Sequence, residues 1–306
     1  MIIKQALKLA TAKLSAHGIK LPHLEAEILL SAILKKPREF LLAHGEKKLT
    51  ASQVSNFKLK ISRRLKGEPV AYLIGYKEFY GLEFFVNQNV LIPRPETELI
   101  VDEALKLITH NSQLITIIDV GTGSGCIVIT LAKQLLARHK TQDTRYKFFG
   151  IDTSKKALIV AKKNAKLNSV EKNIKFLQGD LLSPIIHNSL FIIPDSDLII
   201  LANLPYGWMA WKNNCSMETI GLKFEPEIAL FTGKNGLELY EKLFKQIEKL
   251  RVTSCELRDI TVLGEFDPRQ TSKIRRLIKK YFPQAKLKIK KDLAGLNRLA
   301  IITINN

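Results

Sequence analysis

Apolar residues within the first 66 positions recur at helical spacing. Leu7, Ala10 and Leu14 line one face, and Leu24, Ile28, Leu29, Ala32 and Ile33 line another, the i, i+3, i+4 rhythm of amphipathic helices. Pro22 and Pro37 mark helix starts. Thr50-Ala-Ser-Gln53 reads as a capping box ahead of a basic helix carrying Lys58, Lys60, Arg63, Arg64 and Lys66. These features predict a small helical bundle over residues 1–72. The pattern changes over 73–95, where Phe79, Tyr80, Phe84, Phe85, Val86 and Val90, with Gly75 and Gly81, predict a β-hairpin linker. From residue 96 to 306 short apolar runs alternate with amphipathic stretches. Strands are expected at 115–120, 147–152, 174–178, 197–203 and 259–264, and helices at 96–109, 126–138, 154–168 and 236–250. Runs at 286–290 and 297–303 are close enough to pair as a closing antiparallel hairpin. The alternation predicts a doubly wound α/β domain, Rossmann-like, with a mainly parallel sheet.

In such sheets ligands bind outside the carboxyl ends of the strands, so the residues there are the candidates for chemistry. Gly121-Thr122-Gly123-Ser124-Gly125 follows the buried run Ile115–Val120. Glycines allow a tight turn and close approach of backbone to a ligand at a helix N-terminus. A dinucleotide cradle would place glycine at the sixth position, which is Cys126 here. The spacing suits the carboxypropyl and ribose parts of S-adenosylmethionine better. Asp152 ends the second strand, placed either to bind both ribose hydroxyls or to cap the next helix. Asp180 and Leu181 follow the third strand, either against an adenine amino group and ring or as part of a turn.

The fourth strand runs into Asn203-Leu204-Pro205-Tyr206, which suits one chemical problem. A planar NH2 group is a poor nucleophile because its lone pair is delocalised. Two acceptors, the Asn203 side-chain oxygen and the Leu204 carbonyl, can bind its hydrogens and draw the lone pair out of conjugation. Pro205 stiffens the turn, and Tyr206 offers a flat face for stacking. Four consecutive strand ends thus offer a glycine loop, a ribose acid, an adenine acid and an acceptor motif, the set a methyltransferase needs.

Composition narrows the classes. Three cysteines far apart, Cys126, Cys215 and Cys255, fit a reducing compartment such as the cytoplasm. No apolar stretch reaches the roughly 18 residues of a membrane span, and Met1–Leu7 shows no signal-peptide core. His17, His23, His44, His110, His139 and His187 are scattered without metal spacing. The net charge of +19 invites a nucleic-acid partner. The excess is spread along the chain and is mostly lysine, 36 of 48 basic residues, so a lysine-rich composition accounts for it as well.

The chain resembles the bacterial peptide-chain release factor glutamine-N5 methyltransferases nearly end to end. The resemblance rests on Glu25–Leu30, Gly67–Gly75, Glu78–Leu82, Leu91-Ile-Pro-Arg-Pro-Glu-Thr-Glu98, Phe224–Leu230, Asn235–Tyr240, Lys291–Gly295 and Arg298. It implies an S-adenosylmethionine-dependent enzyme acting on the glutamine of a Gly-Gly-Gln loop in release factors. Gly121 to Gly125, Asp152, Leu181 and Asn203 would contact the donor. Asn203, Leu204, Pro205 and Tyr206 would hold the glutamine. A monomer without metal, membrane or stable nucleic-acid partner is expected. Three features depart from the family pattern. Leu204 replaces a usual proline, giving the form typical of rRNA adenine dimethyltransferases and keeping an adenine-N6 acceptor in RNA or DNA as the alternative. Trp208 and Trp211 are unusual after the motif, and Asp267 stands where the family tends to have glycine.

Overall fold

The computed structural model describes residues 1–109, 114–138, 145–187, 196–207, 217–233, 235–253 and 257–305. Trp208, Trp211, Cys215, Cys255, His110 and His139 lie outside them. Where the sequence pattern suggested three segments, contacts divide the chain into two units. One holds Met1–Tyr76 and the 3-10 helix Met217–Phe224; the other begins at Lys77 and contains the hairpin expected as a linker.

The first unit is helical: α1 (Ile3–Ala16), α2 (Pro22–Leu34), α3 (Arg38–Ala43), α4 (Ala51–Leu65) and α5 (Val70–Ile74). Ile3, Leu14, Leu29, Leu30, Leu41 and Phe57 form its core. α2 packs against α1, α3, α4 and α5. Its buried stripe is Ala26, Leu29 and Leu30, while Leu24 and Ile28 stay half-buried. The capping box at α4 forms: Gln53 N donates to Thr50 Oγ1 at 3.2 Å and Thr50 N to Gln53 Oε1 at 2.9 Å. The basic face expected on α4 is largely engaged within the unit. Arg63 pairs with Glu68, Arg64 with Glu25, and Lys60 Nζ donates to the Leu73 carbonyl. Lys58, Arg63 and Lys66 are the exposed basic residues of that run, Arg63 with its pair to Glu68 made.

The second unit opens with the hairpin β1 (Tyr76–Phe79) and β2 (Leu82–Phe85). Its two loop residues, Tyr80 and Gly81, have φ of 52° and 72°, the left-handed pair that matches strand twist in a tight hairpin. α6 (Glu98–Thr109) follows, then β3 (Ile115–Val120), α7 (Cys126–Arg138), β4 (Tyr146–Asp152), α8 (Lys155–Leu167), β5 (Ile174–Gln178), α9 (Ser183–Ile186) and β6 (Asp197–Ala202). The chain continues through α10 (Glu227–Leu230), α11 (Glu238–Thr253), β7 (Asp259–Glu265), α12 (Thr271–Tyr281), β8 (Lys286–Lys291) and β9 (Asn297–Asn305). α12 was not among the expected helices. Ile274 and Ile278 are its buried residues, Leu277 packs half-buried beside them, and most of the remaining surface is basic or polar.

Seven strands form one sheet in the order β5-β4-β3-β6-β7-β9-β8. All pairs are parallel except β7 with β9 and β9 with β8. β3 is buried along its whole length and β6 from Leu198 to Ala202, as a parallel sheet covered on both faces requires. The strand order reverses at β3, so the crevice lies outside the carboxyl ends of β3 and β6. Register places Val120 beside Ala202 and beside Ile151. The loops after β3, β4 and β6 therefore meet at one edge. Among the described residues no helix is long and apolar enough to cross a membrane.

One buried amide ties these layers together. Asn164 of α8 is 0% exposed. Its Oδ1 accepts from Phe85 N at 2.7 Å, and its Nδ2 donates to Phe85 O at 3.0 Å and Ser124 O at 2.9 Å. Asn164→Ala strands three backbone groups of the hairpin and the glycine loop. It is expected to lower stability by about 2–3 kcal/mol in urea unfolding. The exposed Ile159→Ala on the same helix should stay within about 0.5 kcal/mol of wild type. Equal effects of the two would contradict the clamp.

Candidate active site at the carboxyl ends of the strands

The glycine loop turns sharply from β3 into α7. Gly121, Gly123 and Gly125 have φ of 71°, 54° and 81°, a region that disfavours side chains. At Gly125 space forbids one too, since a Cβ would fall 2.7 Å from Ile129 Cδ1. Thr122 and Ser124 are buried, at 5% and 3% exposure. Thr122 Oγ1 donates to Asp119 Oδ2 at 2.7 Å. Burial pushes the Asp119 carboxyl up to about 7 against that hydrogen bond. Gly121 and Gly123 are thus the accessible positions of the loop.

Asp152, half-buried at the end of β4, braces the loop from the side. Its Oδ2 accepts from Gly123 N at 2.9 Å and its Oδ1 from Ser154 N at 2.8 Å. Desolvation raises its carboxyl above the usual range, and these backbone donors oppose the rise. Thr153 N is a third backbone donor to the same carboxylate; with about four lone-pair sites, it keeps acceptor capacity for a ligand. Ser154, not Asp152, caps α8, its Oγ accepting from Ala157 N at 3.2 Å. Asp180 is ion-paired with Lys242 of α11, and its carbonyl accepts from Gln246 Nε2 at 3.1 Å. Leu181 has a left-handed φ of 54° and is buried in the main core. Such a conformation in a non-glycine residue marks a position over-determined by its surroundings.

The acceptor motif leaves β6 directly beside the glycine loop. Leu204 is 2% exposed, and a Cβ on Gly121 would lie 3.2 Å from its Cδ2. Its side chain fills core while its backbone passes the site. Asn203, Pro205 and Tyr206 are half-buried. Asn203 Nδ2 donates to Thr97 Oγ1 at 2.9 Å, and Thr97 Oγ1 donates to Glu265 Oε2 at 2.7 Å. Tyr206 Oη donates to Glu265 Oε1 at 3.2 Å. Burial drives the Glu265 carboxyl up to about 7, with Thr97, Arg298 and Tyr206 holding it down. The motif backbone is pinned as well. The Tyr240 hydroxyl lies 3.1 Å from Ala202 O and 2.5 Å from Glu265 O. Gln270 Nε2 donates to Tyr206 O at 3.1 Å and to Asn235 O at 3.0 Å. Gly236 sits so close that a Cβ would fall 2.2 Å from Tyr206 O.

The structure thus brings Gly121–Gly125, Asp152 and Asn203–Tyr206 to one edge of the sheet, with Asp180 and Leu181 beyond β4 at the end of β5. Sequence reasoning missed Thr97, Glu265, Tyr240 and Gln270. Thr97 and Tyr240 fall within strings that carry the family resemblance; Glu265 and Gln270 bound the segment in which Asp267 departs from the family pattern, and nothing in their spacing pointed to the site. Two further strings prove to be partners, because Glu225 accepts from Ile92 N at 3.0 Å and pairs with Arg94 at 2.5 Å. Asp267 caps the turn before α12, accepting from Arg269 N at 2.9 Å. That role needs a side chain and accounts for the departure from glycine.

Comparison with known proteins agrees with this architecture. Residues 5–75 match the PrmC N-terminal domain and residues 111–251 a methyltransferase domain. The release factor glutamine methyltransferase of Buchnera aphidicola subsp. Baizongia pistaciae is 35% identical over 281 residues, covering 92% of both chains. That of Bacillus anthracis is 30% identical over 306 residues, covering 99% of this chain and 100% of the relative. Among solved structures, the hMettl16 catalytic domain in complex with a MAT2A 3'UTR hairpin superposes with a TM-score of 0.54 at 14% identity, covering 90% of both chains. That likeness concerns the fold alone. With 92% and 99% of its length matched by these two relatives, the chain belongs to the release factor glutamine methyltransferase family.

Proposed function

We propose that the chain transfers a methyl group from S-adenosylmethionine to the side-chain amide nitrogen of the glutamine in the Gly-Gly-Gln loop of peptide-chain release factors. The observation that carries this reading is the Asn203 amide. Its nitrogen is spent on Thr97, which leaves Oδ1 as the end that can accept. Asn203 Oδ1 and the Leu204 carbonyl would take the two hydrogens of the substrate amide. Both acceptors favour the positive charge that develops on nitrogen in the transition state more than they favour the neutral amide. The Tyr206 ring would hold the amide plane by stacking. Position 204 contributes a carbonyl, which leucine supplies as proline does. The adenine alternative is not favoured, because the relatives that span the chain are named for glutamine.

The residues present fit the donor. Gly121 and Gly123 would let it approach the loop backbone, and the free lone pairs of Asp152 would accept from ribose hydroxyls. Leu181 would face the adenine, with Asp180 reaching its amino group if the Lys242 pair yields. When bound, S-adenosylmethionine supplies a methyl carbon activated by its sulfonium. The helical unit, Met1–Tyr76, would recognise the release factor, since it has its own core and contains none of the strand-end segments.

Three measurements bear on these assignments. Asn203→Ala is expected to cut methylation of Gly-Gly-Gln release factor by about 10²–10³, with affinity for S-adenosylhomocysteine kept within a few-fold. A Gly-Gly-Ala release factor should take no methyl group from wild type. Near-normal turnover by Asn203→Ala, or modification of Gly-Gly-Ala, would sink the acceptor assignment. Asp152→Ala should weaken S-adenosylhomocysteine binding by about 1.5–3 kcal/mol in calorimetry; unchanged affinity would count against a ribose contact. Deleting residues 1–76 should spare donor binding and impair methylation of the intact release factor. Equal efficiency of the truncated and full-length enzymes would remove the recognition role.

A further inference from the structure

We propose that Glu265 and Thr97 are positioning residues for methyl transfer, fixing which end of the Asn203 amide faces the substrate nitrogen. This rests on the function proposed above and extends it to two buried residues that bond to the side chains of the motif. The inference follows from counting hydrogens. A threonine hydroxyl has one to give. Thr97 Oγ1 lies 2.7 Å from Glu265 Oε2 and 2.9 Å from Asn203 Nδ2. While Glu265 is a carboxylate it can only accept, so the Thr97 hydrogen must point to it. Thr97 then can only accept from Asn203, which turns the Asn203 nitrogen inward and Oδ1 toward the site. The second carboxylate oxygen accepts from Tyr206 Oη at 3.2 Å, so one acid orients two residues of the acceptor motif. Thr97 is 2% and Glu265 1% exposed, so water does not compete for these bonds.

The same count predicts a response to pH. Protonated Glu265 can donate to Thr97, whose own hydrogen is then free to point at Asn203. The amide can turn over, presenting a donor where the substrate nitrogen needs an acceptor. The groups that act electrostatically with Glu265 are Arg298 from β9, Glu96 ahead of α6, Tyr206 after β6, Tyr240 from α11 and Cys126 from α7; Asp267 acts on Tyr206 beside it. Burial, with a smaller push from Glu96, outweighs the help of Thr97, Arg298 and Tyr206 and raises the Glu265 carboxyl to about 7. The competent state is the ionised one, so turnover should rise with pH through that value.

The test uses the full-length enzyme and intact release factor. Rates are measured as kcat and KM from pH 6 to 8.5, and donor-site integrity as affinity for S-adenosylhomocysteine. Thr97→Val, which keeps shape and loses the hydroxyl, is expected to lower kcat by about 10- to 100-fold, with KM and donor affinity within about threefold. Thr97→Ser should recover kcat to within about threefold of wild type. Glu265→Gln can still accept from Thr97 through Oε1 while donating to Tyr206, so it should remain active and lose the acid limb near pH 7. A Thr97→Val kcat within twofold of wild type, or an unchanged acid limb in Glu265→Gln, overturns the inference. Should Thr97→Val not fold, the Glu265→Gln profile decides. Absence of product from wild type contradicts the proposed function itself, whereas full wild-type activity with an unaffected Thr97→Val contradicts only the positioning role.

Discussion

At the end of β7 a carboxylate lies almost out of reach of water. Glu265 is 1% exposed, and an isolated charge there would be costly. Thr97 and Tyr206 hydrogen-bond to it and Arg298 acts on it electrostatically. These interactions draw the segment before α6, the acceptor motif after β6 and the last strand of the sheet toward one point. The backbone at the same place is fixed by Tyr240, whose hydroxyl reaches the carbonyls of Ala202 and Glu265. Gly264 makes room for that ring, since a Cβ there would meet it at 2.8 Å. A motif of four residues is thus held by contacts from the turn before α6, from β7 and from α11.

The donor side is built by the same economy of parallel strands. β3 and β6 are hydrogen-bonded neighbours, so the glycine loop and the acceptor motif emerge side by side without a long connection. Asp152 links β4 to the loop through Gly123 N, and Asn164 links α8 to it through Ser124 O. Both grip backbone, so loop geometry is set by residues that are themselves anchored in regular elements. That arrangement suits chemistry in which catalysis rests on positioning.

Much of this was legible in the sequence because parallel sheets write plainly. Leu198–Ala202 is a continuous apolar run and Ile115–Val120 is one broken only by Thr116 and Asp119, and each ends in residues that no ordinary strand needs. The four strand-end segments could be listed without knowing the strand order, since ligands in such sheets gather at the carboxyl ends. The supporting network could not. Thr97 and Glu265 are 168 positions apart, and a buried glutamate in a strand carries no local signal until its partners are in place. The helix Thr271–Tyr281 escaped because it buries one narrow stripe, Ile274 and Ile278, beneath a mostly basic surface. Its start signal, Asp267-Pro268 with Gln270, was present but short. The basic helix Ala51–Leu65 misled in the opposite direction. Three of its four charges satisfy partners within the helical unit, so a row of lysine and arginine in sequence did not become a free basic face.

The central claim is geometric: two oxygens of the motif meet the two hydrogens of a substrate amide. The most direct measurement is a structure of the enzyme with S-adenosylhomocysteine and a peptide containing Gly-Gly-Gln. The account predicts the glutamine nitrogen within about 3.2 Å of both Asn203 Oδ1 and the Leu204 carbonyl, with Thr97 bonded to Asn203 Nδ2 and Glu265. A glutamine bound elsewhere, or an Asn203 amide presenting its nitrogen to the substrate, would contradict it.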